Sequence, residues 1–411
     1  MDRKPRTAHP ATESAAPSRP AAALVRVRSL FTPEHANFTM LLGITVFMVG
    51  FGLLMVLSSS AITSYRQNDE DFFYTASRQA MFAIIGLPLM LIASRTPQRF
   101  WKRWSNLALW GSLAIQSLIF VPGIGQSFGT SNTNWIAIGP VQGQPSEFVK
   151  IALAIWLASV VADRPEIVSD WRALLKTVGL PIGLALGLVL AGGDLGTAIV
   201  IALIAFGALF VAGVRLRVLL LPIVVGALLA IIVTMSSASR SGRVMTFLNG
   251  GCASVDEADQ ACWQTVHGLY ALATGGVFGV GLGNSRAKWS WLPHSETDYI
   301  FAIIGEELGL IGAVVVLLLF VVLAIALLRI IRGSSSPYVK IAVTAIMVWM
   351  IGQAFINIAV VLTLLPVIGV PLPLISQGGS ALVANLFAIG IALSFARRPA
   401  VEQTTDGAPA S

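Results

Sequence analysis

The amino-acid sequence predicts an all-α, polytopic membrane protein of ten transmembrane helices, with both termini cytoplasmic and a large outer loop between the seventh and eighth helices. Three observations predict it. Hydrophobic residues make up 55% of the 411 and charged residues only 11%, whereas a water-soluble domain carries about a quarter charged residues; the mean hydropathy is +0.79. Apolar runs recur at the length that crosses a hydrocarbon core, about twenty helical residues. Lys and Arg gather in alternate links between those runs, as the positive-inside bias requires. The net charge of +7 does not point to nucleic acid, because the basic residues are spread among short links and not collected on one soluble face.

Residues 1–36 are rich in Ala, Pro and Arg. They offer too little apolar surface to offset the entropy of ordering, and are expected to form a disordered, basic cytoplasmic tail. They show no apolar segment followed by a small-residue cleavage site, so the first membrane run is expected to serve as its own signal. The membrane domain occupies 37–398, with runs near 38–60, 79–95, 105–123, 147–163, 176–192, 195–213, 217–236, 298–328, 341–365 and 378–396, and a second disordered tail covers 399–411. With the N-terminus inside, 20 of the 27 Lys and Arg residues fall on inner segments; the others are Arg66, Arg78, Lys150, Arg240, Arg243, Arg286 and Lys288. The fifth and sixth runs nearly touch at Gly192-Gly193-Asp194-Leu195-Gly196. The eighth is long enough to tilt or protrude.

Three segments then face outward: 124–146, 237–297 and 366–377. The middle one far exceeds an ordinary connection, and loops of that length are functional or disordered. Its stretch 263–274, WQTVHGLYALAT, is amphipathic and predicts a helix lying at the interface or dipping into it. Both cysteines, Cys252 and Cys262, sit in this loop. On an oxidising side of the membrane they predict a disulfide that closes the segment holding Asp256, Glu257 and Asp259.

Several motifs stand in a fixed order. Phe128-Gly-Thr-Ser-Asn-Thr-Asn-Trp135-Ile-Ala-Ile-Gly139 is followed by Gln144-Pro-Ser-Glu147-Phe-Val-Lys150 and then by Asp194-Leu-Gly196. Gly275-Gly-Val-Phe-Gly-Val-Gly-Leu-Gly283 leads to His294-Ser-Glu-Thr-Asp298-Tyr-Ile-Phe-Ala-Ile-Ile-Gly-Glu306-Glu307, and Pro371-Leu-Pro373-Leu-Ile-Ser376-Gln-Gly-Gly379-Ser comes last. Together they resemble the SEDS family (shape, elongation, division, sporulation) over about residues 38–398, its division-type members more than its elongation-type ones. The resemblance implies a peptidoglycan glycosyltransferase that polymerises lipid II on the outer face of the bacterial cytoplasmic membrane, at the division septum. It also implies a class B penicillin-binding protein as cross-linking partner, alongside other division proteins. A lipid II flippase and a non-catalytic division scaffold are the alternatives. The family's catalytic aspartate maps onto Asp298 and its loop tryptophan onto Trp135. This chain departs from the pattern at Gly193, where the family has Pro, at Asn134, where it has Arg, and at His267-Gly268, where it has Gln-Ser. Those departures bear on the finer substrate contacts.

Asp298 opens the eighth apolar run. A helix dipole there favours the ionised carboxylate and partial burial opposes it, a balance that suits a general base taking the proton of a sugar 4-hydroxyl. Equally, Thr297-Asp298 before an apolar run is how an ordinary helix is capped. Lys150 and Glu147 lie three residues apart in an apolar run, either as an internal ion pair or as groups steadying a diphosphate. Arg243, Arg286 and Lys288 suit the same diphosphate, or lipid headgroups. Asp194 contributes to a polar cavity or caps the sixth helix. Glu306 and Glu307 read as a proton or transport site, or as buried hydrogen-bonded carboxylates. The prolines and glycines of 371–380 predict a re-entrant turn that brings Ser376 and Gln377 to the outer cavity; Ser376 lacks the neighbours of a nucleophile. No metal-ligand cluster is legible, and a Mg²⁺ or Mn²⁺ ion held by a substrate diphosphate with one carboxylate would leave no such signature.

Overall fold

The computed structural model describes residues 33–67, 70–127, 132–139, 141–220, 260–289 and 291–397, with a few positions between 226 and 247. It is an α-helical bundle with a small three-stranded antiparallel sheet at one end. In chain order the helices are α1 (Pro33–Gln67), α2 (Tyr74–Arg95), α3 (Gln98–Ser117), α4 (Pro145–Asp163), α5 (Trp171–Ala191, with a π-helical turn at Leu175–Gly179) and α6 (Leu195–Val211). Then follow α7 (Gln260–Gly275), α8 (Ile300–Gly333), α9 (Pro337–Val361) and α10 (Gly379–Phe395). Every predicted run but the seventh coincides with one of these helices. The seventh, 217–236, lies almost wholly outside the described residues.

Six of the helices are long and apolar enough to cross a membrane, and α6 and α10 are shorter apolar helices. The chain is a multi-pass membrane protein. Its centre is built from α4 and α9, whose most apolar windows are 83% and 72% buried, against 28–39% for α1, α2, α5 and α8. Helix α9 packs on α4, α6 and α8, and α10 packs on α2. A helix apolar on every side is buried all round, and α4 accordingly buries 15 residues, from Pro145 to Val161. The peripheral helices turn large apolar side chains outward, among them Ile84, Ile92, Leu180 and Leu318. Lipid is the solvent that such a surface requires.

The sheet joins α3 to α4. Strand β1 (Gly125–Gln126) pairs with β2 (Trp135–Ile138), which pairs with β3 (Val141–Gly143). Pro145 then starts α4, where its fixed φ suits a first helical turn and its missing N–H costs nothing. The amphipathic stretch predicted in the long loop is the helix α7, laid against α8.

Helix α8 is not continuous. Gly309 adopts φ 69°, ψ −165°, a region essentially restricted to glycine. The chain after α7 fills the break: Val280 and Gly281 donate their N–H groups to the Glu306 and Glu307 carbonyls, at 2.9 and 3.0 Å, while Leu310 and Ile311 donate to Gly276 and Val277, at 2.9 and 3.3 Å. A Cβ on Gly309 would come within 2.4 Å of the Gly279 nitrogen. The break lies about 14 Å along the helix from its start, at 1.5 Å per residue. Gly309 is buried there, so the backbone groups freed by the break are paired by the inserted segment and not by water.

Gly309→Ala should therefore lower the thermal stability of the purified protein by about 1–3 kcal/mol or more, through a forbidden φ and a backbone clash. Gly333→Ala, with open space around its Cβ position, should leave it nearly unchanged. Equal melting temperatures for the two variants would show that the insertion carries no load.

Candidate functional site

Helix α8 begins at Ile300 with Tyr299 as N-cap, and no side chain caps it. The capping expectation for Asp298 is therefore replaced by a different arrangement. Asp298 sits just before the helix in a tight turn, its side chain partly exposed. His294 has φ 58°, and its carbonyl accepts from the N–H groups of Thr297 and Tyr299, at 3.2 and 3.1 Å. This left-handed residue folds the turn back on itself and sends Asp298 to the head of α8.

The turn is clamped by side chains from elsewhere. Asn357 on α9 donates through its one Nδ2 to two carbonyls, those of Asp298 and Val370, each at 2.7 Å. The Ser376 hydroxyl donates to the Thr297 carbonyl at 2.6 Å and accepts from the Leu372 N–H at 2.8 Å. Gln377 N–H donates to the Glu296 carbonyl at 2.9 Å. Residues 296–298 and 370–377 are thus stitched into one non-helical platform. Gly369, at φ 70°, belongs to it; a Cβ there would lie 3.5 Å from Asp298 Oδ2, so the carboxylate stands directly against this backbone. Ser376 and Gln377 are brought next to Asp298, bonded to the backbone of Thr297 and Glu296.

Beneath the platform runs a buried polar string. Lys150 Nζ is 2.8 Å from Glu147 Oε1, 3.2 Å from Gln353 Oε1 and 4.6 Å from the centre of the Trp349 ring. Gln353 Oε1 also accepts from Trp349 Nε1 at 2.9 Å, and its Nε2 donates to the Pro371 carbonyl at 2.8 Å. Lys150 is only 1% exposed. The internal Glu147–Lys150 pair is present, and it is linked through Gln353 to the same platform that Asn357 holds one helical turn further on. Glu147 Oε2 and Ser146 Oγ, both buried, have no hydrogen-bond partner among the described residues.

Asp194 is the N-cap of α6. Its carboxylate accepts from Thr197 N–H and Thr197 Oγ1, each at 2.8 Å, from Gln144 Nε2 at 2.7 Å and from Asn134 Nδ2 at 3.2 Å. It caps the helix and also ties down the ends of the sheet, beside Trp135 at the start of β2. Gln144 N–H reaches Ser380 Oγ on α10 at 3.3 Å, so this group adjoins the platform without being part of it. Asn134, at a position where the family carries Arg, takes part in this anchoring.

Of the basic residues of the 276–289 segment, Lys288 is placed otherwise than a diphosphate site requires. Lys288 is buried, with Nζ 3.2 Å from Glu307 Oε1 and bonded to the Gly283 carbonyl at 2.5 Å. Glu307 also accepts from Ser58 Oγ on α1, and Glu306 from Ser285 Oγ and from Arg286 N–H at 2.9 Å. Both carboxylates are buried and hydrogen-bonded, and their role here is to fasten the inserted segment to α8. Arg286 itself is exposed. Arg243 and Cys252 lie outside the described residues. Cys262 is buried and disulfide-bonded.

Gln353, Asn357 and Ser58 escaped sequence reasoning. A signal existed for the first two: amides four residues apart lie on one face of a helix, and this pair interrupts an otherwise apolar run. Asn357→Leu should remove the donor that the Asp298 and Val370 carbonyls share, costing about 1–3 kcal/mol, measurable by thermal unfolding in detergent. Lys150→Met should cost about 3–5 kcal/mol by stranding Glu147, and the double variant Glu147→Gln/Lys150→Met less than the single one. A double variant no better than Lys150→Met alone would contradict the pairing.

The comparisons with known proteins follow the same lines. A family model described as "Cell cycle protein", covering FtsW, RodA and SpoVE, matches residues 38–400. A Mycobacterium tuberculosis protein named as the peptidoglycan glycosyltransferase FtsW is 36% identical over 88% of this chain and 68% of its own length. The FtsW of Coxiella burnetii is 37% identical, over 86% of this chain and 94% of its own, and stage V sporulation protein E of Bacillus subtilis 34%, over 89% and 98%. Among solved structures, a chain from a peptidoglycan synthase complex superposes with TM-score 0.69 at 24% identity, and Thermus thermophilus RodA with TM-score 0.64 at 24%; each alignment covers 87% of this chain and 96% of the other. Motifs, fold and relatives agree, and the chain belongs to the FtsW/RodA/SpoVE family of cell cycle proteins, the SEDS family.

Proposed function

We propose that this protein is a peptidoglycan glycosyltransferase that polymerises lipid II into glycan strands at the outer face of the bacterial cytoplasmic membrane, for septal wall synthesis in division. The observation that carries the proposal is the clamped, partly exposed Asp298. Its carbonyl is held by Asn357 and the preceding one by Ser376, so its carboxylate is presented from a fixed backbone. A general base must be held in this way to act on a bound hydroxyl. The relatives named as peptidoglycan glycosyltransferases supply the substrate class.

In the proposed step the Asp298 carboxylate takes the proton of the acceptor sugar's 4-hydroxyl. The freed oxygen bonds to the anomeric carbon of the growing strand, and the bond from that carbon to the diphosphate breaks, releasing undecaprenyl diphosphate. The buried Glu147–Lys150 pair, joined to the platform through Gln353, steadies it from beneath. Among the described residues no three His, Cys, Asp or Glu side chains converge. A Mg²⁺ or Mn²⁺ ion held by the substrate diphosphate with one carboxylate would supply charge neutralisation there.

The accompanying topology has ten transmembrane helices, cytoplasmic termini, and the platform, sheet and α7 on the outer side. A class B penicillin-binding protein is the proposed cross-linking partner, with other division proteins around it. A flippase would need Glu306 and Glu307 along a path open to both sides. Their engagement with Ser58, Ser285 and Lys288 favours the enzyme.

Asp298→Asn, purified with its partner, should polymerise labelled lipid II about 10²–10⁴-fold more slowly than wild type, the usual contribution of a general base, while its melting temperature is kept. Undiminished polymerisation would reject the enzyme; loss of lipid II translocation instead would point to the flippase.

A further inference from the structure

Helix α7 and the turn after Lys288 carry a group of aromatic rings that the proposed step does not use. Trp263 and His267 stack at 4.1 Å between ring centres with planes 29° apart, and Trp291 lies nearly parallel to both, 6.0 Å from Trp263 at 15° and 5.7 Å from His267 at 18°. Tyr270 closes one edge, T-shaped against His267 at 5.9 Å. Trp291 and Tyr270 are each 54% exposed. The shelf is held rigidly: Trp263 Nε1 donates to the Trp291 carbonyl at 2.8 Å, and Gln264 Nε2 to the Pro293 carbonyl at 3.2 Å. The chain it fixes, 291–293, runs directly into the His294 turn and Asp298. His267, the ring shared by every contact but one, stands where this chain departs from the family pattern.

We infer that this shelf, with Trp291 as its exposed face, is a sugar-stacking subsite for an N-acetylhexosamine ring of the glycan. A β-linked N-acetylhexosamine presents axial C–H bonds on its faces, and these electropositive edges are attracted to the negative face of an indole. A stack of parallel rings gives such a face without loss of side-chain freedom on binding. Trp residues that merely anchor a protein in headgroups keep the polar tip of the ring in the wet layer. Here the Trp263 N–H is spent on the Trp291 backbone, which turns the indole into part of a fixed platform. The inference rests on the proposed polymerase function for the identity of the sugar, and it places that sugar beside the segment that carries the base.

The test uses the full chain in nanodiscs and a lipid-free hexamer of β-1,4-linked N-acetylglucosamine, read by saturation-transfer NMR and titration. Wild type and Asp298→Asn should both transfer saturation to the sugar's axial protons. Trp291→Ala should weaken binding about tenfold, as loss of one stacking ring does, and Trp291→Tyr should restore most of it. Trp289→Ala, removing an exposed tryptophan of the same turn that lies outside the ring group, should bind as wild type. In lipid II polymerisation Trp291→Ala should shorten the strands, with its melting temperature unchanged. Absence of hexamer binding to wild type, binding by Trp291→Ala equal to wild type, or equal losses for Trp289→Ala and Trp291→Ala would each overturn the subsite, the last because it marks an interfacial anchor. These outcomes do not depend on Asp298, so failure of the catalytic assignment shows separately, as undiminished synthesis by Asp298→Asn.

Discussion

Asn357, buried on α9, donates from one amide nitrogen to the carbonyls of Asp298 and Val370, and the arrangement of the site depends on that pair of bonds. Within or near a bilayer, backbone that leaves the helical pattern loses its internal partners and cannot turn to water. Two such stretches meet here, 294–299 and 366–378. Each answers the other's need, through Ser376 and Gln377 on one side and the carbonyls of Glu296 and Thr297 on the other. Gln79 on α2 closes the set, donating to the Ser376 carbonyl and accepting from Gly378 N–H. Side-chain amides on three-dimensionally fixed helices thus convert unsatisfied backbone into a rigid support for one carboxylate.

The same economy governs the charges. Isolated ions are costly in a low-dielectric interior, and they persist when paired and hydrogen-bonded. Glu147 and Lys150 pair on the most buried helix and pass their interaction through Gln353 to the platform. Glu306, Glu307 and Lys288 pair at the break in α8 and hold the inserted 276–288 segment against it. The first group lies under the site and the second fixes the covalent approach to it. Both convert buried charge into definite geometry.

Much of this was legible in the sequence, because lipid imposes simple rules. Nine of the ten apolar runs became helices, the seventh lying almost wholly outside the described residues, and of the turn predicted over 371–380 all but its last two residues are non-helical. The Glu147–Lys150 pair and the Asp194 cap were each one of two readings that the sequence left open, and both are present in the fold. Other features were not legible, since they are contacts between segments far apart in the chain. The broken α8 was read as one long run, for Gly309 looks like any glycine until the 276–281 backbone is laid beside it. Lys288 looked available to an anion, and only the fold brings Glu307, 19 residues away, into contact with it. Asn357 and Gln353 showed only as polar interruptions, with nothing in the sequence to name their acceptors.

The central claim is that the backbone clamp sets the position of the Asp298 carboxylate and through it the rate of chemistry. The most direct measurement is steady-state lipid II polymerisation by Asn357→Ala in complex with its partner, at a temperature where circular dichroism shows the variant folded. The account predicts a kcat lower by about a hundredfold, the cost of a displacement of roughly 1 Å at a catalytic group, with KM for lipid II little changed. A wild-type kcat in that folded variant would contradict it.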